Sequence, residues 1–267
     1  MNFAFVVVAC VTQIMRRTYD LCVKRQLVQL LLVLMVPGAT PALLPSSLAR
    51  RTVEVSLNEK TTIGVVEVAD WAWWEEKSKD DNSNPHGAKL WPAAVAVARY
   101  VSSLPIQGKT VLELGCGNGL CSLAAAQAGA TSVIATDLSA DALGLTDEAC
   151  AINDVKSVTT QILDLGGKEP LPAADVVVCA DLLYDDDLAA LVAKRAVEAS
   201  QRGSWVIIGT DLKRGPRLTF LKKLKELHPG SEESFTFDDC HSVALKAVGW
   251  KEKTVGMLQL NAPDSAT

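Results

Sequence analysis

The 267-residue chain has few of the side chains that build metal sites or disulfide frameworks. Its 3 histidines are scattered, at His86, His228 and His241, and none of its 7 cysteines stands in a C-x-x-C pair. Cys121 and Cys179 lie within apolar helix or strand patterns. Because a structural metal site needs clustered His and Cys ligands, we expect no bound metal and reduced, structural cysteines.

The main part of the chain also lacks an excess of positive charge. Of the 26 Lys and Arg and the 31 Asp and Glu, residues 1–51 hold six basic side chains and one acidic side chain. The remaining residues therefore carry 20 basic and 30 acidic side chains, a balance of −10. Nucleic acid is bound through clustered Lys and Arg, so we expect no nucleic-acid partner. A basic protein substrate is compatible with this charge.

The first fifty residues lack an apolar run long enough for a membrane-spanning helix. Leu27 to Val36 is a ten-residue run with only Gln29 polar, whereas a span needs about 20 residues. Basic residues before the run and small residues after it are typical of a secretory signal or of the first part of a plastid signal. We expect residues 1–50 to be a targeting or membrane-associated segment. We expect an organelle, plastid or mitochondrion, as the destination, with the cytoplasm as the alternative. The other interpretation of residues 1–50 is a wrongly assigned start of the chain or a helix on a membrane surface.

Strand and helix patterns alternate from residue 51 onward. β-rich stretches at 52–57 and 63–68 predict a hairpin, and a Trp cluster at 71–74 and a loop over 75–87 follow. This alternation predicts an α/β fold with a doubly wound, mostly parallel seven-stranded sheet behind the hairpin. Strands are predicted at 110–114, 132–136, 158–163, 175–180, 204–209, 250–255 and 257–260, and helices at 92–101, 120–128, 140–152 (capped by Ser139), 186–200, 216–227 and 239–248.

The stretch Thr110-Val-Leu-Glu-Leu-Gly-Cys-Gly-Asn-Gly119 joins a predicted strand to a predicted helix through three glycines. This order brings the backbone close to a nucleotide. A dinucleotide fingerprint would need a third glycine where the chain has Leu120, which opposes a nicotinamide-dependent reductase. The spacing G-x-G-x-G after Glu113 resembles the cofactor loop of class I methyltransferases. We therefore expect S-adenosyl-L-methionine as the cofactor.

Acidic residues stand at the ends of successive predicted strands. Glu113 lies within the first strand, and Asp137, Asp164 and Asp181 end the next three. Ligands of open parallel sheets bind beyond the carboxyl ends of the strands. We expect Asp137 to accept hydrogen bonds from ribose hydroxyls, Asp164 from an adenine amino group, and Asp181 to lie beside the reactive methyl group. The alternative is that each Asp only caps a loop.

Four pieces of the chain between Leu90 and about Asp211 resemble the family-16 seven-strand protein methyltransferases. They are Leu90-Trp-Pro, Glu113-Leu-Gly-Cys-Gly-Asn-Gly, Ala135-Thr-Asp and Asp181-Leu-Leu-Tyr. The continuation of the last piece, Asp185-Asp-Asp-Leu-Ala, is similar to the branch that methylates lysines of the electron-transfer-flavoprotein β-subunit. The resemblance implies a Rossmann-like methyltransferase domain at 89–260, behind a hairpin and loop at 51–88. It also implies methyl transfer to a lysine side chain of a protein substrate, and we expect a monomer.

The resemblance implies two groups of site residues. Asp181 and Tyr184 match the acidic-x-x-aromatic motif and would orient the attacking amine, and no dedicated general base is evident. Two alternatives remain open: a methyltransferase that acts on a small molecule or RNA, and a non-catalytic cofactor-binding protein. The fourth strand lacks the Asn-Pro-Pro-Tyr tetrad of enzymes that methylate base or glutamine amides, which weighs against RNA. Cofactor contacts are implied at Trp91, Glu113, Gly115, Cys116, Gly117, Asn118, Gly119, Asp137, Leu138, Asp164, Leu165 and Ala180.

Overall fold

The computed structural model describes residues 48–80, 84–228, 235–243 and 249–263. Residues 1–47, which form nearly all of the expected targeting segment, lie outside this description, so that expectation stays a prediction. Within the described ranges, no helix combines the length and the apolar character that crossing a membrane requires.

The described elements follow the alternation of strands and helices predicted from the sequence. Helices α1 to α6 cover Trp71–Asp80, Pro92–Ser102, Leu120–Gln127, Ala140–Ile152, Asp186–Gln201 and Arg217–Leu227. Strands β1 to β9 cover Arg50–Ser56, Thr62–Val68, Thr110–Leu114, Ser132–Asp137, Val158–Ile162, Val176–Ala180, Trp205–Asp211, Asp238–Val243 and Lys253–Leu260. A short 3₁₀ turn, His86–Ala88, precedes α2.

Strands β3 to β9 form one seven-stranded sheet in the order β5-β4-β3-β6-β7-β9-β8. Neighbouring strands from β5 to β7 are parallel, whereas β9 runs antiparallel to both β7 and β8. The predicted doubly wound, mostly parallel sheet is thus confirmed. The strand order reverses between β3 and β6, and such a reversal opens a crevice at the carboxyl ends of the strands.

Helices cover both faces of the sheet. Along β3, Val111 packs with α2, α3 and α4, while Leu112 and Leu114 pack with α5 and α6. The same alternation holds in β7, where Ile207 and Ile208 join opposite layers. Successive strand residues point to opposite faces, so a strand covered on both sides is apolar throughout. This accounts for the continuous apolar runs in the sequence.

The predicted hairpin is confirmed, since β1 and β2 pair antiparallel as a separate two-stranded sheet. Glu67 on β2 is only 1% exposed. Its carboxylate accepts a hydrogen bond from Arg51 Nε at 2.7 Å and another from the backbone N–H of Leu90 at 2.9 Å. The hairpin therefore fixes the chain directly before Trp91.

The expectation of a loop over 75–87 is wrong in its first half, because α1 continues to Asp80. The Oδ1 atom of Asp70 accepts a hydrogen bond from the backbone N–H of Trp73 at 3.0 Å, and such a cap stabilises a helix start. The Glu and Lys residues that made the segment look like a loop also favour helix at exposed positions.

The C-terminal expectations need two corrections. The predicted helix at 239–248 begins instead as β8, which pairs with β9; the Ala-Leu-Lys-Ala-Val stretch at 244–248, which carried the helical pattern, lies outside the described residues. The two predicted closing strands are one continuous strand, β9. Gly256 lies inside this strand without breaking it. A Cβ at this position would lie 3.0 Å from the carbonyl oxygen of Phe237. Glycine serves that close approach rather than a turn.

Candidate functional site

A cavity of about 450 Å³ lies at the carboxyl ends of the parallel strands, where the strand order reverses. Its volume is within the usual range for small-molecule sites. Of the site residues predicted from the sequence, only Gly119 does not line it. The predicted residues that the fold brings together there are Trp91, Glu113, Gly115, Cys116, Gly117, Asn118, Asp137, Leu138, Asp164, Leu165, Ala180, Asp181 and Tyr184.

The glycine loop between β3 and α3 adopts left-handed backbone conformations. Gly115, Gly117 and Gly119 have φ angles of 62°, 53° and 77°, which side chains disfavour. A Cβ on Gly117 would lie 3.2 Å from the carbonyl oxygen of Gly87, and one on Gly119 would lie 2.6 Å from Thr146 Cγ2. Gly119 therefore serves the packing of α3 against α4, while Gly117 lets residues 84–91 approach the loop.

Asp137 at the end of β4 holds the glycine loop. Its Oδ2 accepts a hydrogen bond from the backbone N–H of Gly117 at 3.0 Å, and its Oδ1 accepts one from Ser139 at 2.9 Å. Burial raises the pKa of Asp137, and these hydrogen bonds act in the opposite direction. The hydroxyl of Ser139 caps α4 by accepting the N–H of Ala142 at 3.3 Å, as predicted. A contact between Asp137 and ribose stays a prediction.

Glu113 within β3 is only 2% exposed. Its Oε2 accepts hydrogen bonds from the backbone N–H and the hydroxyl of Ser122, at 2.8 and 2.5 Å. Burial raises the pKa of Glu113 to about 7, although the bonds from Ser122 lower it. The carboxyl group thus links β3 to the first turn of α3 beneath the glycine loop.

The loop after β5 carries Asp164 and Leu165 and is held from below by Arg195 on α5. Arg195 is 7% exposed. Its Nε donates to the carbonyl of Leu165 at 2.9 Å, Nη2 to that of Gly167 at 2.7 Å, and Nη1 to that of Glu169 at 3.0 Å. The sequence contains no local signal for this support, because Arg195 lies about thirty residues beyond the loop in the middle of a helix.

Asp181, directly after β6, is buried, 6% exposed, with a left-handed φ of 60°. Its backbone N–H donates to the carbonyl of Gly209 at 2.9 Å. Its carboxylate Oδ1 lies 2.9 Å from Arg214 Nε, and the carboxylate group also faces the N–H of Ala93 in the first turn of α2. Burial raises the pKa of Asp181, whereas the charge of Arg214 acts to lower it. A non-glycine residue held in this conformation is a feature that clusters at functional sites.

Tyr184 lies beside the same ion pair. Its hydroxyl accepts a hydrogen bond from Asn84 Nδ2 at 2.9 Å, and its ring centroid lies 5.0 Å from that of His86. The guanidinium carbon of Arg214 lies 5.9 Å from the Tyr184 ring and 5.7 Å from the Trp91 ring. Burial raises the pKa of the Tyr184 hydroxyl. The predicted pair Asp181 and Tyr184 therefore converges on Arg214.

Sequence reasoning missed the contribution of residues 84–89 and of Arg214. The indole N–H of Trp91 donates to the carbonyl of His86 at 2.8 Å, which folds this segment over the cavity. Burial lowers the pKa of His86, and Arg214 adds to the effect. The only sequence signal near the segment was the Leu90-Trp-Pro motif. The missed residues that line the cavity are Asn84, His86, Gly87, Lys89, Ala94, Leu163, Leu182, Leu188, Leu191 and Arg214.

The polar groups of the cavity fit an organic cofactor better than a metal. The side-chain amide Nδ2 of Asn118 is buried and has no hydrogen-bond partner among the described residues, so it can donate to a ligand. The nearby carboxylates of Asp137 and Asp164 can accept from hydroxyl or amino groups. In the part of the chain that the structure describes, no three His, Cys, Asp or Glu side chains cluster as metal ligands do.

A family model described as lysine methyltransferase, that of methyltransferase family 16, matches residues 74–227. The chain belongs to this lysine methyltransferase family. The resemblance inferred from Leu90-Trp-Pro, the glycine loop and Asp181-Leu-Leu-Tyr is therefore confirmed. The match begins within α1 and ends with α6, so it covers both the glycine loop and the segment that folds over the cavity.

Relatives of this lysine methyltransferase family member include electron transfer flavoprotein beta subunit lysine methyltransferases. The human protein is 34% identical over 122 residues, which cover 44% of this chain and 45% of that protein. The Xenopus laevis protein is 31% identical over 142 residues, covering 51% and 56%. The chain thus spans about half the length of the curated relatives it matches. A solved structure from Streptococcus mutans, described as a SAM-dependent methyltransferase, has the same fold, with a TM-score of 0.52. The two chains are 14% identical, and the superposition covers 78% of this chain and 55% of the other.

Proposed function

We propose that this chain is an S-adenosylmethionine-dependent methyltransferase that methylates a lysine side chain of a protein. One observation carries the proposal: Asp181 and Tyr184 line the same cavity as the glycine loop and Asp137. A cofactor held by the loop would therefore share a space with the two side chains suited to an amine. Membership of the lysine methyltransferase family and the flavoprotein-modifying relatives support the same chemistry.

The residues that would hold the cofactor are those of the glycine loop and the strand ends. Asp137 and Asp164 offer carboxylates to the ribose hydroxyls and the adenine amino group, and the amide of Asn118 offers a free donor. Gly117 lets the backbone approach the ligand. When bound, S-adenosylmethionine supplies a methyl group that is already activated by its sulfonium centre.

The chain itself has to align a neutral amine and exclude water. A lysine arrives as an ammonium with a reference pKa of about 10.4. The carboxylate of Asp181 and the ring faces of Trp91 and Tyr184 provide surroundings that attract this cation. The Tyr184 hydroxyl, fixed by Asn84 at 2.9 Å, can then accept a hydrogen bond from the amine and orient its lone pair. Water takes the proton in this proposal.

The remaining features of the proposal concern partners and location. The acidic balance of residues 52–267 supports a protein substrate and no nucleic-acid partner, and we propose a monomer. We also propose that residues 1–50 direct the chain to an organelle, plastid or mitochondrion, because their basic and apolar composition differs from the rest. Fusion of residues 1–50 to a fluorescent protein tests this targeting prediction. Cytoplasmic fluorescence would contradict the prediction.

The test of the proposed function uses the full chain, S-adenosylmethionine labelled in the methyl group, and a cell extract. Label is expected in one or a few proteins, and mass spectrometry of the labelled band is expected to find methyllysine. The Asp137→Ala variant is the control that should transfer little label. Label found only in small molecules or RNA would contradict the substrate class. Cofactor binding without any transfer would instead identify a non-catalytic binding protein.

A further inference from the structure

A second cavity, of about 250 Å³, shares part of its wall with the cofactor cavity. Trp91, Asp181 and Arg214 line both, while Asp211 and Trp250 line only the second among the residues described here. The ion pair between Arg214 and Asp181 therefore lies at the boundary between the two spaces. A side chain that passed from the second cavity to the first would have to pass this pair.

Arg214 occupies a place built for an organic cation. Its Nε lies 2.9 Å from Asp181 Oδ1, and its guanidinium carbon lies 5.7 and 5.9 Å from the ring centroids of Trp91 and Tyr184. A buried carboxylate with two aromatic faces attracts ammonium and guanidinium ions alike. These are also the groups that the proposed function assigns to the substrate amine. Two cations cannot hold this place together.

An ion pair with imperfect hydrogen-bond alignment holds Arg214. Arg214 Nε lies 2.9 Å from Asp181 Oδ1 and the two charges attract each other, but the N–H is not well aligned with that oxygen. The side chain of Arg214 is 26% exposed, whereas that of Asp181 is 5% exposed. Arg214 thus reaches inward from the surface and can be withdrawn without opening the core, while Asp181 stays buried.

The turn that carries Arg214 offers it a second partner. It connects β7 to α6, and the Arg214 N–H donates to the carbonyl of Asp211 at 2.9 Å. The space around Gly215 is open. Asp211 also lines the second cavity, where its carboxylate lies 2.8 Å from Lys253 Nζ and within electrostatic reach of Arg214. A displaced guanidinium would therefore remain next to an acid.

We propose that Arg214 is an internal cation that occupies the ammonium site, and that the target lysine side chain displaces it after passing through the second cavity. The ligand class is a primary alkylammonium. The rings of Trp91 and Trp250, 5.1 Å apart between centroids, would cover the methylene stem of the lysine. This inference rests on the proposed function, since it describes how the same site is opened.

The test measures binding of n-butylammonium, which reproduces the ammonium and four-carbon stem of lysine. It is titrated into the full-length parent and the Arg214→Ala variant, each saturated with S-adenosylhomocysteine so that the cofactor cavity is filled. Tryptophan fluorescence reports binding beside Trp91. Arg214→Ala is expected to bind n-butylammonium at least about 10-fold more tightly than the parent. The uncharged n-butanol should show no such difference.

Two further variants separate this inference from a general change in charge. Lys225→Ala removes the same charge from an exposed residue of α6 that lines neither cavity, and it should behave as the parent does. Asp181→Asn combined with Arg214→Ala should lose the gained affinity. Equal affinity in the parent and Arg214→Ala, or undiminished binding in the double variant, would overturn the inference. If Arg214→Ala fails to fold, as judged by circular dichroism, Arg214→Gln is used with the same expectations.

These outcomes are independent of turnover. A gain in n-butylammonium affinity without any methyl transfer would contradict the proposed function but support the role of Arg214 as a displaceable cation. Methyl transfer to lysine without the gain in affinity would support the proposed function and contradict the role of Arg214.

Discussion

The two halves of the cavity are built in different ways. The cofactor half consists of the glycine loop and the ends of β4 and β5, so its residues come from consecutive strand–helix units. The substrate half brings together residues 84–91, the Asp181–Tyr184 segment and the turn at Arg214. Asn84 and Tyr184, for example, are hydrogen-bonded across 100 residues of chain. Local connection leaves a readable motif, whereas assembly from distant segments leaves almost none.

The halves differ in charge as well. In the cofactor half Glu113 is a buried acid and Asp137 a partly buried one, and their hydrogen bonds come from neutral donors. Asp181 in the substrate half faces Arg214 at 2.9 Å. Burial raises the pKa of all three carboxyl groups. Among the described residues, therefore, Glu113 and Asp137 have no cationic partner, whereas the substrate half already contains its cation.

Gly117→Arg is expected to have the largest effect, because Gly117 is where the two halves touch. The substitution places a side chain in a left-handed conformation, 3.2 Å from the carbonyl of Gly87 at the Cβ alone, which costs about 1–2 kcal/mol before the rest of the side chain is placed. Calorimetry should detect no S-adenosylhomocysteine binding, while circular dichroism should show the fold retained. Gly144→Ala, in open space within α4, is the control. Unchanged S-adenosylhomocysteine affinity in Gly117→Arg would contradict the assignment of the glycine loop to cofactor binding.

Glu113→Gln tests the uncompensated acid of the cofactor half. The pKa of Glu113 is raised from 4.5 to about 7, so the folded chain holds this proton more tightly than the unfolded chain. The resulting stabilisation is full below pH 4.5 and is lost as the pH rises through 7. Relative to Glu113→Gln, the unfolding free energy of the parent should fall by up to about 3 kcal/mol over that range.

Urea unfolding of the ligand-free proteins between pH 4.5 and 8 measures this difference. Glu54→Gln, on the exposed face of β1, is the matched control and should show a constant difference from the parent. A constant difference for Glu113→Gln as well would mean that the buried carboxyl is not protonated in the folded state.

Asp137→Ala should weaken S-adenosylhomocysteine binding by about 10- to 100-fold, because it removes the acceptor for Gly117 and Ser139 together with the carboxylate assigned to ribose. Calorimetry measures the affinity. Asp187→Ala, which removes an exposed acid in the first turn of α5, should bind as the parent does. If both variants bind equally well, Asp137 only caps a loop and the cofactor half loses its main polar anchor.

Arg195→Lys should have the smallest effect. Lysine keeps the charge but cannot reach the three carbonyls of the loop after β5, so cofactor affinity should fall by about 3- to 10-fold. The kcat at saturating cofactor should remain that of the parent. Arg202→Lys, whose parent side chain contacts this region at the carbonyl of Leu171, should change affinity by less than about twofold. A loss of kcat in Arg195→Lys would place the loop in the substrate half.

The sequence predicted the parts of the fold whose signals are local. The glycines of the loop, the acids at strand ends and the Ser139 cap all act within a few residues, and the structure has them where expected. The errors have different origins. For α1 a local signal was overlooked, the cap by Asp70 three residues before Trp73. Strand β8 is a strand because it pairs with β9, an interaction between segments that no local pattern records.

The same distinction explains which site residues could be found. Asp181 and Tyr184 form a motif within four residues. Arg214, His86 and Asn84 matter only because the fold places them next to that motif, and each alone is an ordinary polar residue in a turn or loop. A rule that searches only for contiguous patterns therefore finds the cofactor half and one edge of the substrate half.

The most direct test of the central claim, that two differently built halves serve cofactor binding and methyl transfer separately, is the kinetic and binding analysis of Tyr184→Phe. The substitution removes one hydroxyl and its bond to Asn84 and keeps the ring. We expect kcat and kcat/KM for a labelled protein substrate to fall together by about 10- to 1000-fold, while S-adenosylhomocysteine affinity stays within about twofold of the parent. Full activity, or a loss of activity that follows a parallel loss of cofactor affinity, would contradict the account.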